Sequence, residues 1–227
     1  MKTNETRIAA LEAENTVIKK ALIDLGVNPE IFLGTGTDDE LLASGKGYEA
    51  FNVGDTAVLT FFGKPVNFTV VHKDYMTDGK ITLMAEDIHL FHPYGRGNNY
   101  ATSELRDFLN RVVLQGFTPE VQKAIVTSPV EYYDSGSYQT VNDKIWAPSY
   151  KEMGFSGSSY ASLEGEPLEY FKSDADRIKC FCGDERWYRL RTPYSNYDTF
   201  AWYVKADGSA SYDGCSYGYG VVPAFEI

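Results

Sequence analysis

The stretch WYRLRTPYSNYDTFAWYVKADGSASYDGCSYGYGVVPAFEI, residues 187–227, decides how the rest of the chain is interpreted. Three strand-like apolar pieces, WYRLR, FAWYV and VVPAFEI, frame segments that are rich in Tyr, Ser, Asn, Asp and Gly. Antibody paratopes use the same mixture, because Tyr supplies rigid contact area while Ser, Gly and Asn supply adaptable hydrogen bonds. The stretch therefore indicates a binding surface on an antiparallel sheet, and a Tyr-rich sheet without a special role is the alternative.

Within this stretch the apolar pieces are expected to form the core, and the polar and aromatic residues between them are expected to be exposed on one face. The predicted core residues are Trp187, Leu190, Trp202, Val204, Val222 and Phe225. The predicted ligand-binding residues are Tyr194, Ser195, Asn196, Tyr197, Asp198, Phe200, Tyr203, Ser209, Ser211, Tyr212, Asp213, Ser216, Tyr217 and Tyr219.

Two upstream pieces, NNYATSELRDFLN (98–110) and DKIWAPSYKEMG (143–154), add to the C-terminal pieces RWYRLRTP, VKADGSASYDG and GVVPAFEI. Together they resemble the C-type-lectin-like variable proteins of diversity-generating retroelements, which occur in phages and bacteria. The resemblance covers about residues 51–227. It implies an α+β fold, a C-type-lectin-like domain, in which VVPAFEI at the end of the chain pairs with AVLTFF at its beginning.

In that family a reverse transcriptase randomises adenines, so that Asn codons become codons for Tyr, Ser, Asp, Gly and several others. Trp, Lys, Glu, Gln and Met are never reached. Between Tyr194 and Gly220 only Trp202 and Lys205 fall outside the reachable set. The resemblance therefore implies a protein that binds a protein or glycan ligand on a cell surface. It would be part of a phage tail, or lie at the surface or in the cytoplasm of a bacterium.

The first residues predict a short coiled coil over 1–26 as an N-terminal helical segment. Its heptad positions a and d are Ile8, Leu11, Asn15, Ile18, Leu22 and Leu25. The flanking charges suit a parallel pairing, and the Asn favours a fixed register, so we expect a homo-oligomer, a dimer or a trimer. An amphipathic helix docked on its own domain is the alternative. Residues 27–50 are predicted to be a linker and 51–227 the ligand-binding domain.

Two helices are predicted inside the domain. One covers Ser103 to Leu114, where Thr102 or Ser103 is the cap and apolar residues recur with helical spacing. The other covers Pro119 to Ile125, with Thr118 as its cap and proline in its first turn.

The composition excludes several partners. The net charge of −11 argues against binding to nucleic acid or to anionic lipid, both of which need clustered Lys and Arg. No run approaches the roughly 18 apolar residues of a membrane span. The polar and acidic start of the chain is unlike a secretory signal peptide.

The sequence predicts no metal, cofactor or catalytic residue. Cys180, Cys182 and Cys215 lack zinc-ligand spacing. Sugar-binding C-type lectins hold calcium with a Glu-Pro-Asn loop followed by an Asn-Asp pair. This chain has Glu166-Pro167-Leu168, and its Asn142-Asp143 comes before that loop. A non-enzymatic binding protein is therefore expected. The alternatives are a relative of the formylglycine-generating enzymes and a structural virion protein without a variable ligand.

Overall fold

The computed structural model describes residues 37–227, and strands dominate this part: 37% of it is strand and 18% is helix. The predicted α+β class, a C-type-lectin-like domain with an N-terminal helical segment, is therefore wrong for the described residues. The apolar runs of the domain are short, rich in Val, Phe, Tyr and Thr, and separated by Gly and Asp turns, which favours strands over helices. The predicted coiled coil (1–26) and residues 27–36 of the predicted linker lie outside the described residues.

The strands follow one another in short segments. Up to residue 143 they are β1 (Thr56–Phe61), β2 (Lys64–Lys73), β3 (Ile81–Ala85), β4 (Leu90–Pro93), β5 (Ser128–Asp134) and β6 (Ser137–Asp143). From residue 180 on they are β7 (Cys180–Phe181), β8 (Asp184–Glu185), β9 (Tyr188–Pro193), β10 (Phe200–Val204), β11 (Ala210–Gly214), β12 (Gly218–Val221) and β13 (Ala224–Glu226).

The helices of the described part are short. They are α1 (Asp39–Ala43), α2 (Gly47–Ala50), α3 (Glu104–Phe108) and α4 (Pro119–Ala124), with 3-10 turns at Tyr100–Thr102 and Ala175–Arg177. Helix α3 continues through one π-helical turn and one 3-10 turn to Gly116. The Ser103 hydroxyl accepts a hydrogen bond from the Arg106 amide, and Thr118 caps α4 before Pro119. Both predicted helices are thus confirmed, because their caps satisfy the first free amides.

One sheet has four strands in the order β1-β2-β3-β13 and contains much of the core. The last strand pairs with β3, where Phe225 lies opposite Leu83, and not with β1 as the resemblance implied. The outer edge of β1 is already occupied, because the Asp38 amide donates to the Val58 carbonyl and the Asp38 and Asp39 carboxylates accept from the Val58 and Thr60 amides. Strand β3 therefore offers the free edge of the β1–β2–β3 meander. Phe225 then packs against Phe68 and Phe117, with ring centroids 5.5 and 5.0 Å apart.

A second sheet carries most of the Tyr-rich stretch, in the order β11-β10-β9-β12-β4. Its antiparallel centre is β9–β10–β11, and β12 inserts between β9 and β4 through a parallel contact with β9. A separate hairpin, β5–β6, turns at Ser135-Gly136, where both residues have positive φ. The connection β9–β10 and this hairpin tip are the two structures that build the candidate site.

Residues 37–50 pack on the first sheet, so the folded unit begins before residue 51, inside the predicted linker. The Asp38 carboxylate accepts a hydrogen bond from the Val58 amide at 2.7 Å, and Leu42 is buried. The Lys73 ammonium donates to the carbonyls of Tyr48 and Phe51, which ties α2 to β2. The sequence prediction missed the buried residues Leu42 and Gly47, because the composition of their segment is that of a linker.

A buried ion pair joins the second sheet to the rest of the domain. The Arg191 guanidinium contacts both carboxylate oxygens of Glu152, at 2.5 and 2.6 Å, and both side chains are fully buried. Arg191 also donates to the carbonyl oxygen of Glu131 on β5 at 2.8 Å. The Tyr75 hydroxyl and the Ser149 amide donate to the same carboxylate. Arg191 therefore connects β9 with the β5–β6 hairpin.

Across residues 37–227 no helix is both long enough and apolar enough to cross a membrane.

Candidate functional site

The residues between β9 and β10, 194–199, form a compact loop that we call the display loop. Its backbone closes on itself: the Tyr194 amide donates to the Phe200 carbonyl at 3.0 Å, and the Phe200 amide donates to the Tyr197 carbonyl at 3.1 Å. The side chains of residues 195–199 are exposed, and Tyr197 is exposed to 59%. The loop thus has a fixed backbone and free side chains.

Asn98 holds the display loop from outside. Its side-chain amide nitrogen donates to the carbonyl oxygens of Phe200 (2.9 Å), Tyr197 (3.0 Å) and Tyr194 (3.3 Å). Its main-chain amide donates to the Asp198 carbonyl at 2.8 Å. Every acceptor is a main-chain atom, so these hydrogen bonds do not depend on which side chains the loop carries.

The turn 214–217, which follows β11, lies next to the display loop and is held in the same way. The Cys215 amide donates to the Thr199 carbonyl at 2.7 Å. The buried guanidinium of Arg189 donates to the carbonyl oxygens of Gly214 and Ala201, both at 2.9 Å. Tyr217 at the end of this turn is exposed to 59%. The main chain of this turn is therefore also fixed by residues of the scaffold.

An aromatic cluster supports the display loop from below. The Tyr194 ring stacks on Tyr212 with centroids 3.8 Å apart, and it also contacts Tyr160 at 5.4 Å and Trp202 at 5.9 Å. Trp202 packs in turn against Tyr150 at 4.7 Å. Tyr194 was predicted to be exposed, but this packing buries it. Its ring mainly supports the loop, and the small part that stays exposed lines the cleft described next.

A cleft of about 540 Å³ lies between the display loop and the tip of the β5–β6 hairpin. One wall is formed by residues 193–198 and the other by residues 133–136, together with Asn98. Five predicted site residues therefore come together here: Tyr194, Ser195, Asn196, Tyr197 and Asp198. The second wall was not predicted. The turn signal Asp134-Ser135-Gly136 indicates a hairpin tip, but nothing in the sequence relates that tip to a loop sixty residues away.

The other predicted site residues do not share one face. On β10, Trp202 lies opposite Tyr212 and Tyr203 lies opposite Ser211, so successive side chains point to opposite sides of the sheet. Tyr203 stacks on Tyr219 (4.8 Å) and on Trp187 (5.4 Å), which buries it. The prediction that Tyr203 is exposed is therefore wrong.

Trp187 is also placed differently from the prediction. It was expected in the core, but 44% of it is exposed, because it covers Tyr203 from the solvent side. The other five predicted core residues are buried as expected: Leu190, Trp202, Val204, Val222 and Phe225.

The remaining predicted site residues lie outside the cleft. The Tyr219 hydroxyl donates to the Asp213 carboxylate at 2.6 Å, and burial together with that hydrogen bond raises the pKa of Tyr219 well above its usual value. Ser209 closes the β10–β11 turn by donating to Asp207. Phe200 is half-buried, packing on Tyr197 at 5.3 Å, while Tyr212 and Ser216 are exposed.

Asp143 and Glu166, which belong to the calcium-type pieces of the sequence, and the turn residue Asp207 all have partners within the protein. Asp143 is paired with Arg106 at 2.8 Å, Glu166 with Lys151 at 3.0 Å, and Asp207 accepts from Ser209. Within residues 37–227 no group of three or more His, Cys, Asp or Glu side chains is placed to hold a metal ion.

The three cysteines lie on separate elements of the fold, Cys180 and Cys182 at the β7–β8 hairpin and Cys215 in the turn 214–217. All are free thiols, and burial raises the pKa of Cys215 to about 11, so its thiol stays protonated near neutral pH.

Comparison with known proteins defines the family. Residues 78–227 match the family described as "Domain of unknown function (DUF6273)". The match covers more than half of the chain, so the protein belongs to this family. No curated protein and no solved structure matches it. The matched segment contains both walls of the cleft and Asn98, so the candidate site lies entirely within the family domain.

Replacing Asn98 with alanine is expected to loosen the display loop while the domain stays folded. The change removes the donor shared by three carbonyls, and we expect it to lower the free energy of unfolding by about 1–3 kcal/mol. Hydrogen exchange should become faster at the amides of residues 194–200. The matched control is Asn99→Ala, whose side chain accepts from the Thr102 amide and, among the described residues, makes no hydrogen bond to the display loop. Equal exchange in both variants would contradict the anchoring role.

Proposed function

We propose that this protein is a ligand-binding module whose binding surface is the cleft together with the exposed side chains of the display loop and the turn 214–217. The observation that carries the proposal is that different residues fix the main chain and form the exposed surface in this region. Scaffold residues such as Asn98 and Arg189 hold the main chain, while Tyr197 and Tyr217 extend into solvent. Exposed aromatic residues at fixed positions are typical anchors of binding surfaces.

The same arrangement supports the resemblance to the variable proteins of diversity-generating retroelements. A loop held through its carbonyl oxygens keeps its shape when its side chains change, which a diversified surface requires. The two residues that Asn codons never reach have scaffold positions: Trp202 is buried in the aromatic cluster, and Lys205 is half-buried at the β10–β11 turn. The positions of residues 195–198, by contrast, are all exposed.

The neighbouring DNA tests the diversification directly. We expect a reverse transcriptase gene and an adenine-rich near-copy of the segment that encodes residues 194–219. The near-copy should differ mainly at codons for the display loop and the turn 214–217. If the neighbouring DNA holds neither element, the protein is a binding module with a constant surface, and the retroelement proposal is withdrawn.

Exposed tyrosines should be dispensable for folding and required for binding. Tyr197→Ala and Tyr217→Ala are each expected to change the free energy of unfolding by less than about 1 kcal/mol, as surface substitutions do. At least one of them should weaken binding of a ligand selected on the native protein by about 2 kcal/mol or more, because a few aromatic anchors dominate interfaces. Trp187→Ala is the control, because this exposed aromatic residue stacks on Tyr203 and does not line the cleft. Unchanged binding in both tyrosine variants would contradict the proposal.

For assembly we propose a homo-oligomer formed through residues 1–26, in keeping with a protein at a phage tail tip or a bacterial surface. Light scattering on the full chain should give the mass of a dimer or a trimer, because heptads with matched flanking charges favour parallel association. A shortened chain of residues 37–227 should give the mass of a monomer. A monomeric full chain would contradict this part of the proposal.

A further inference from the structure

We infer that the cleft binds a cationic side chain, an arginine presented by an exposed segment of a partner protein. The inference rests on the proposed function and adds the chemical class of its ligand. The cleft and its tyrosine rings define the site, and the charges of the walls determine which class of ligand binds there.

The walls of the cleft carry two carboxylates and no described cation. Asp134 lies at the hairpin tip and Asp198 in the display loop, so they approach a ligand from opposite sides. Neither forms an ion pair with another residue of the described part, and none of the described residues that line the cleft is Lys, Arg or His. Arg96, two residues before Asn98, is exposed and lies outside the lining. A positive group would be attracted by both carboxylates, and an anion would be repelled by them.

The tyrosine rings add a surface that suits a guanidinium. Tyr133 lines one wall and Tyr197 the other, and Tyr197 offers most of its ring to solvent. A guanidinium is planar and weakly hydrated, and it stacks on aromatic rings while donating hydrogen bonds at its edge. The Asn196 amide oxygen, the Ser195 hydroxyl and the two carboxylates supply acceptors around the same opening.

This combination favours arginine over a neutral sugar. A sugar ring is uncharged and would leave both carboxylates without a counter-ion. The protein as a whole has a net charge of −11, which attracts a basic partner over a distance of about a Debye length. An arginine on an exposed segment of a partner can pair with the carboxylates, stack on the tyrosine rings and donate hydrogen bonds to the acceptors.

Fluorescence anisotropy with the full chain and two labelled peptides tests the inference. The peptides are Gly-Ser-Arg-Ser-Gly and the same sequence with citrulline, which keeps the shape of arginine but has no charge. We expect the arginine peptide to bind at least about tenfold more tightly, and its affinity to fall as salt is raised. The double variant Asp134→Asn/Asp198→Asn should lose about tenfold in affinity for the arginine peptide. Tyr197→Leu, which keeps an apolar side chain, should lose about threefold through the missing cation–π contact.

A charge-matched control separates the cleft from the general acidity of the protein. Asp78→Asn/Glu120→Gln removes the same charge from exposed positions away from the cleft and should change the affinity by less than about twofold. Circular dichroism verifies that each variant is folded. Equal binding of the citrulline peptide, or equal losses in the two double variants, would overturn the inference. Tighter binding of a methyl pyranoside at the cleft would also overturn it, but it would leave the proposed binding function in place.

Discussion

Glu152→Gln should lower the free energy of unfolding by about 3–5 kcal/mol, the range for breaking a buried ion pair by removing one partner. The substitution leaves the Arg191 guanidinium fully buried without its carboxylate, and arginine has no accessible neutral form in a protein. Arg191 also donates to Glu131 of the β5–β6 hairpin. The loss is therefore expected to disturb both walls of the cleft as well as the core.

Urea denaturation followed by circular dichroism measures this effect, and Glu166→Gln is the matched control. Glu166 pairs with Lys151 at 3.0 Å, but its side chain is largely exposed, so its replacement should change stability by less than about 1 kcal/mol. A loss of less than about 1 kcal/mol for Glu152→Gln as well would show that the buried pair does not hold the site together.

Trp202→Ala is expected to destabilise the protein by about 3–5 kcal/mol, as is typical when a large aromatic side chain is removed from a core. Trp202 is only 6% exposed, packs against Tyr150 and lies edge-on to Tyr212 at 5.5 Å. Its indole nitrogen donates to the Tyr160 carbonyl at 3.3 Å. The aromatic cluster below the display loop would lose its centre.

The matched control is Trp187→Ala, a second tryptophan that lies immediately before β9 and is 44% exposed. Its removal uncovers one side of Tyr203 and leaves no enclosed cavity, so the expected loss is about 1 kcal/mol. Thermal melts of the two variants compare the positions directly. Equal losses would mean that the burial difference between the two tryptophans has no energetic consequence, which would contradict the assignment of Trp202 to the scaffold.

The sequence indicated correctly which apolar pieces form strands, because their composition and the turns between them are local properties. Leu190, Val204 and Phe225 are core residues for that reason. The sequence predicted less accurately which aromatic residues are buried. Tyr194 and Tyr203 have the composition of a binding surface, but each is covered by rings from other strands, and Trp187 lies on the outside of such a stack. Aromatic composition alone does not tell on which side of a stack a ring lies.

The residues that contact the display loop or face it across the cleft could not be predicted from one sequence. Asn98 belongs to a segment between β4 and α3, and the hairpin tip with Asp134 precedes the loop by about sixty residues. Neither belongs to a periodic pattern, and their contact with the loop arises from sheet topology. The pairing of β13 with β3 has the same origin, since residues 38–39 occupy the outer edge of β1 and leave β3 as the free edge.

The role of the exposed side chains is tested most directly by randomising residues 195–198, 216 and 217 of the chain to the amino acids reachable from Asn codons. The measurement is the fraction of clones that stay resistant to protease. We predict that most clones remain resistant, because surface substitutions usually change stability by less than about 0.5 kcal/mol and the loop is held through its carbonyl oxygens. A parallel library at Tyr194, Trp202 and Tyr203 should lose resistance in most clones. Equal loss in both libraries would contradict the claim that the exposed side chains serve a ligand and not the fold.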